Sequence, residues 1–242
     1  MSKDNPIILS AHQPVYLPWL GLFHKIALAD IFCVFDIVQY QRKDFNNRNK
    51  IKTASGPIWL SVPVKSSGRL NSLISDIEII NDGWHIKHLK SIELNYKKTP
   101  YFDRYYQDLQ KILSAQYQYL VDLNFDILVY VLNVLGIEVK IVKASDYSFE
   151  GLKSDLVLDM CVKLDAEIYI FGEQGKNYAD IDSFSNRDIS LYFQSYNHPV
   201  YKQANRDFLP YMSIFDLLFN EGDRSLDILL SGNITKQDVS KI

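Results

Sequence analysis

Residues 6–36 carry the pattern that most restricts how this chain can fold. Pro6-Ile7-Ile8-Leu9-Ser10-Ala11 reads as a short buried strand, and Ile31-Phe32-Cys33-Val34-Phe35 as a second one. Between them Leu22, Phe23, Ile26 and Leu28 recur at helical spacing, while Pro14 and Pro18 bar regular structure from the preceding loop. Two strands joined through a helix lie parallel, with a right-handed crossover. The expected fold is therefore α/β, with an open, mainly parallel, Rossmann-like sheet.

Downstream, the polar, cationic segment from Val38 to Lys52 is expected to be a connection. Trp59-Leu60-Ser61-Val62-Pro63-Val64 is expected as an edge strand because of its proline. A Ser/Gly/Asn loop over 65–72 and a short strand from Ile77 to Ile80 follow. Apolar spacing predicts helices over 84–96, 102–115 and 120–135, the last capped by Gly136. Then come a strand over 138–142, a helix over 154–164 with Ser154 as N-cap, and strands over 168–171 and 189–193. A helix over 213–220 is opened by a Ser213/Asp216 capping pattern and closed by Gly222. There is no repeat and no linker-like shift in composition. The simplest organisation is one domain over 1–242, with a helical insertion at 84–136 and a loosely packed tail at 226–242.

Composition narrows the function. A net charge of -3 gives no general basic field, so duplex DNA is not an expected partner. No apolar run approaches the ~20 residues of a membrane-spanning helix. The polar start lacks the pattern of a secretory signal, which points to the cytoplasm. Cys33 and Cys161 sit inside apolar runs and read as small buried hydrophobes. Tyrosine is abundant, at 16 residues, and Tyr16, Tyr40, Tyr178, Tyr196 and Tyr201 stand beside polar groups. A flat ring with a hydrogen-bonding tip suits a sugar or nucleotide pocket, or equally a half-wet surface.

The polar clusters follow the strands. His12 and Gln13 succeed the first; Asp36, Gln39 and Tyr40 the second; Glu173, Gln174, Lys176 and Tyr178 the strand at 168–171; Gln194, Tyr196, His198, Tyr201 and Gln203 the last. Ligands of open parallel sheets bind outside the carboxyl ends of the strands, so these loops are expected to share one cleft. His12 is the candidate acid/base group, because an ordinary histidine titrates near neutrality; its alternative is a structural hydrogen bond. Asp36 is the second catalytic candidate, or else a strand-end cap. Arg42, Lys43, Arg48 and Lys50, interleaved with Asn46, Asn47 and Asn49, suit a diphosphate or simply a solvated loop. The phosphate cradle Gly-x-x-x-x-Gly-Lys, the Gly-x-Gly-x-x-Gly turn and the Gly-x-Ser-x-Gly elbow are all absent. His85 and His88 lack a third ligand, so no metal is expected.

The stretch His12-Gln13-Pro14-Val15-Tyr16-Leu17-Pro18-Trp19-Leu20-Gly21-Leu22-Phe23-His24-Lys25 resembles the WbqC-like family of bacterial surface-polysaccharide gene clusters. So do Asp36-Ile37-Val38-Gln39-Tyr40, Asn47 to Lys52, Trp59 to Val64, Tyr196 to Gln203 and Ser213 to Gly222. Phe45 stands where some relatives carry tryptophan. The resemblance implies O-antigen or related glycan biosynthesis, by modification of a nucleotide-linked amino sugar. Acyl or aminoacyl transfer, for example glycyl, is the reaction it suggests. The donor would be borne by a tRNA, coenzyme A or a carrier protein, and no cofactor would be tightly bound. Its motif positions add Trp19 and Lys25 to the substrate-binding candidates. The strand, His/Pro loop and helix at the start also resemble nucleotidylyltransferase-like domains, without their His-x-x-His or His-x-Gly-His signature. Two alternatives stand beside transfer to an amine: a non-catalytic binding or assembly protein, and a nucleotidyl or phosphoryl transferase, which would need Mg²⁺.

Overall fold

The computed structural model describes residues 6–65, 72–205 and 207–242. The opening unit forms as its pattern requires: strand β1 (Ile8–His12), helix α1 (Leu20–Ala27) and strand β2 (Ile31–Val34), with β1 and β2 parallel and His12 opposite Val34. A hairpin follows, β3 (Arg48–Thr53) and β4 (Gly56–Ser61), and pairs only with itself. This corrects two expectations. Residues 48–53 are strand rather than connection, and the Trp59 strand joins this hairpin instead of edging the main sheet. Residues 77–80 form isolated bridges rather than a strand, through Glu78 with Tyr119 and Ile79 with Val64. Most of the loop expected over 65–72 lies outside the described residues.

Three helices come next, α2 (Trp84–Tyr96), α3 (Phe102–Ser114) and α4 (Leu120–Leu135), and Gly136 ends α4 in the left-handed conformation at φ 66°. The sheet resumes with β5 (Lys140–Lys143), helix α5 (Ser154–Lys163), β6 (Ile168–Phe171), helix α6 (Ile181–Ser185) and β7 (Ser190–Phe193). Ser154 is not the N-cap of α5; its hydroxyl accepts the Asp180 N–H instead. Helices α7 (Ile214–Glu221), α8 (Ser225–Leu230) and α9 (Lys236–Val239) close the chain. Leu229 and Val239 are fully buried, so the segment expected as a loose tail packs against the body.

The five-stranded sheet is parallel throughout, in the order β5-β2-β1-β6-β7. Strand order therefore reverses at the β1/β6 boundary, which is where doubly wound sheets open a crevice. Side-chain alternation splits the core between two faces. Leu9, Ala11, Ile31 and Cys33 pack with Val157 and Met160 of α5, while Phe32 and Val34 pack with Phe23 of α1 and Leu128 of α4. By the same alternation Ile8, Ser10 and His12 share one face. Burial pushes the Cys33 thiol up to about 12, in keeping with a packing role. Among the described residues no helix is long and apolar enough to cross a membrane.

Candidate functional site

The loop after β1 is held by backbone bonds to two distant segments. Tyr16 N–H donates to Phe45 O (3.1 Å), Ile214 N–H to Pro18 O (2.7 Å) and Ser213 N–H to Lys50 O (3.0 Å). Leu17 sits at φ 44°, a left-handed conformation seldom taken by leucine, and its carbonyl accepts Asn49 Nδ2 at 2.6 Å. Strain of this kind persists where surroundings over-determine the backbone, often at functional sites. The fully buried Asn49 is thus a brace for the loop.

His12, at the end of β1, donates from Nδ1 to the Gln13 carbonyl (2.8 Å), which leaves Nε2 as the ring's acceptor. Burial, reinforced by the Lys25 ammonium, pushes its pKa down to about 3. The expectation of a near-neutral histidine is corrected: the ring is uncharged at neutral pH. Lys25, 4% exposed, reaches across from α1 to donate to Ala11 O at 2.9 Å, and burial lowers its pKa to about 8. The Ile7 carbonyl faces β6, where it accepts Ile168 N–H, so the Ala11 carbonyl faces the same way. Strand pairing stops at Ser10 and Ile170, so Lys25 Nζ sits where β1 and β6 part. Space beside Gly172, just past β6, is empty to 4 Å.

From His12 an aromatic track runs outward. Trp19 packs edge-on at 5.5 Å between centroids, Phe45 lies 5.1 Å from Trp19, and Trp59 lies 5.7 Å from Phe45. Strand alternation puts Arg48 and Lys50 on the Trp59 face of the hairpin, 4.3 Å and 4.9 Å from its ring centre. Trp59 is 42% exposed. Arg48 gives one guanidinium N–H to the Lys43 carbonyl, while its Nε is buried without a partner. Asn47 instead ties the hairpin to Val62 O (2.8 Å). Gln13 accepts Asn46 Nδ2 at 3.3 Å.

Other expected residues go elsewhere. Asp36 is buried and accepts both the Ser145 N–H (3.0 Å) and the Ser145 hydroxyl (2.7 Å), so it locks the β2 and β5 ends together. Tyr16 is buried against α2, with its hydroxyl 2.8 Å from His88 Nδ1, and Tyr40 is also buried. Tyr201 and Gln203 enter a buried network centred on Asp216, whose carboxylate accepts Tyr96 OH, Tyr201 OH and Gln203 Nε2, each at 2.8 Å. Lys52 joins through Gln203 Oε1 (3.1 Å) and the Asp207 carbonyl. Asp216 is therefore the hub of this network and not a reciprocal helix cap. Gln194 fastens β7 to α1 through Gly21 O and His24, Tyr196 OH donates to Leu229 O, and His198 Nε2 accepts the Tyr211 N–H. Glu173, Gln174, Lys176 and Tyr178 leave the same sheet edge as His12 but are exposed, as are Gln39 and Arg42. The expected single mouth thus resolves into the His12–Lys25–hairpin region, the Asp216 network and exposed loops. Lys52, Asn124 and Ser145 carry no signal in the sequence because their partners are remote along the chain, and Asn46, expected beside a diphosphate, instead holds Pro14 O and Gln13.

The parallel five-stranded sheet, with a strained, braced loop at its reversal point, makes this an α/β protein. The chain belongs to the WbqC-like protein family, whose profile matches residues 13–228, as the opening motif implied. A protein of Mycobacterium tuberculosis described as uncharacterized is 33% identical over 219 residues, covering 90% of this chain and 95% of its own. No solved structure matches the chain.

Proposed function

We propose that this protein transfers an acyl or aminoacyl group to the amine of a nucleotide-linked amino sugar in surface-polysaccharide biosynthesis. The observation that carries the reading is the track from His12 to the hairpin, which ends in two cations and an unpartnered Arg48 Nε. A buried donor without a partner is costly, and a diphosphate oxygen satisfies it with a charge-assisted bond. Exposed cation–π contacts are worth only about 0.5–1 kcal/mol, so Arg48 and Lys50 can turn from Trp59 to a phosphate. Trp59 and Phe45 then offer apolar surface to base or sugar.

At the other end the sugar amine, as a neutral nucleophile, attacks the donor's carbonyl carbon. A C–N bond forms, the bond from that carbon to the carrier's sulfur or oxygen breaks, and the amine proton passes through His12 Nε2 to the leaving group. A histidine held at about 3, by burial first and by the Lys25 charge second, is a weak base, and an anionic group near Lys25 recovers part of its strength. Substrate binding and base strength are thereby coupled. The donor carrier is a tRNA, coenzyme A or a carrier protein.

The test is a thermal-shift and titration series with UDP- and dTDP-amino sugars, followed by turnover with acyl donors. Arg48→Ala and Lys50→Ala are expected to weaken nucleotide-sugar binding about tenfold each, and His12→Ala to fold normally but lose about 10²-fold or more in turnover. Wild-type turnover in His12→Ala, or indifference to every nucleotide sugar, would sink the proposal.

A further inference from the structure

Beneath His12 lies a small pocket walled by Pro14, Val15, Leu22, Phe32, Val34 and Leu128, with His12, Gln13 and Asn124 as its polar members. It encloses about 10 Å³, the room taken by one water or one amino group. Asn46 and Asn124 are each only 2% exposed. Their amide orientations are fixed, because Asn46 Nδ2 donates to Pro14 O (2.9 Å) and Asn124 Nδ2 donates to Asn46 O (2.8 Å). Asn46 spends both of its N–H groups, on Pro14 O and Gln13 Oε1, and Asn124 spends one on Asn46 O, while both carbonyl oxygens, Asn46 Oδ1 and Asn124 Oδ1, are buried with no partner. His12 adds Nε2, its Nδ1 proton being committed to Gln13 O. Buried orphan acceptors are rare in folded proteins, and each calls for a donor.

We infer that Asn124 Oδ1 and His12 Nε2, two acceptors lining this pocket, form a subsite that recognises the free amino group of the acceptor sugar. This rests on the proposed nucleotide-sugar reading and deepens it. A primary amine brings two N–H donors and a hydroxyl only one, so the subsite discriminates an amino sugar from its hydroxy counterpart. An N-acylated sugar has one N–H and a bulky acyl group, so product is expelled. Lys25 opposes a second positive charge nearby, which favours the neutral, nucleophilic amine.

The experiment compares UDP-glucosamine, UDP-glucose and UDP-N-acetylglucosamine by titration calorimetry on the full chain. Wild type is expected to prefer UDP-glucosamine by about tenfold or more over the other two. Asn124→Leu should abolish that preference. Should Asn124→Leu not fold, Asn124→Asp, which keeps an oxygen at the Oδ1 position, is expected to retain the preference, and losing it there overturns the inference. Equal binding of all three sugars by wild type also overturns it, while leaving the nucleotide-sugar reading intact. If no nucleotide sugar binds, that reading fails, and methylamine decides the subsite alone. Movement of the Asn124 side-chain amide resonances on adding methylamine, absent with methanol, supports it. Resonances that stay fixed mean a resident water only, and overturn it.

Discussion

Lys25 gives the most incisive measurement on the β1/β6 boundary. Its ammonium is nearly inaccessible, forms no ion pair among the described residues, and has its pKa lowered by burial from an ordinary 10.5 to about 8. A folded-state pKa below the unfolded one means that folding penalises the charged form. That penalty is complete below pH 8 and is relieved as pH rises from about 8 to 10.5, where the unfolded chain keeps the proton and the folded chain has lost it. At 1.36 kcal/mol per pKa unit the full penalty is roughly 3 kcal/mol. Lys25→Met removes it. Urea unfolding of both proteins between about pH 7.5 and 9.5 should therefore show wild type gaining roughly 2 kcal/mol on the variant. The buried tyrosines are common to both proteins and cancel in the difference. The same substitution should let the His12 pKa climb from about 3 while staying below 6.5, because burial is the larger cause, and histidine ring NMR reads this directly. A stability difference that is flat across this range would refute the claim that Lys25 is a desolvated cation.

Two further outcomes concern the scaffold. Asp216→Ala strands two tyrosine hydroxyls in the core and takes one partner from the Gln203 amide, so it should cost roughly 3–5 kcal/mol in denaturant unfolding. Gly222→Ala should cost about 3 kcal/mol or more, read as a fall in Tm, because a methyl at φ 56° would be strained and would overlap the Tyr101 ring.

The elements most legible in the sequence are those whose apolar spacing is strong. The α1 crossover, the helices α2 to α4 and the strands β1, β2, β6 and β7 all announce themselves in this way. Strand β3 does not, because in Arg48-Asn49-Lys50-Ile51-Lys52-Thr53 only Ile51 is apolar, and the hairpin draws its support from Trp59 and Asn49 instead. Asp216 stands three residues after Ser213, so its spacing imitates a helix cap; only the fold brings Tyr96, 120 residues away, onto its carboxylate. Position after a strand places His12 correctly on the sheet edge, but its depressed pKa comes from burial and from Lys25, neither of which a linear pattern displays. Polarity alone places Tyr16, Tyr201 and Gln203 in a cleft, whereas their polar tips serve buried partners. The orphan carbonyls of Asn46 and Asn124 depend on which amide atoms find neighbours, a matter of packing alone.

Because the Arg48–Ser61 hairpin stands apart from the five-stranded sheet, the two ends of the track face different mutational constraints. Around His12 the loop is braced by Asn49 and by backbone bonds to Phe45 and Ile214, so substitutions that disturb the bracing are selected against through the fold itself. On the outer face of the hairpin, Arg48 and Lys50 belong to a pair of strands that pair only with each other, so their side chains are freer to change than Trp59, which packs on Phe45. If the proposed reading holds, divergence in ligand preference among relatives should accumulate at the hairpin rather than at the inner end.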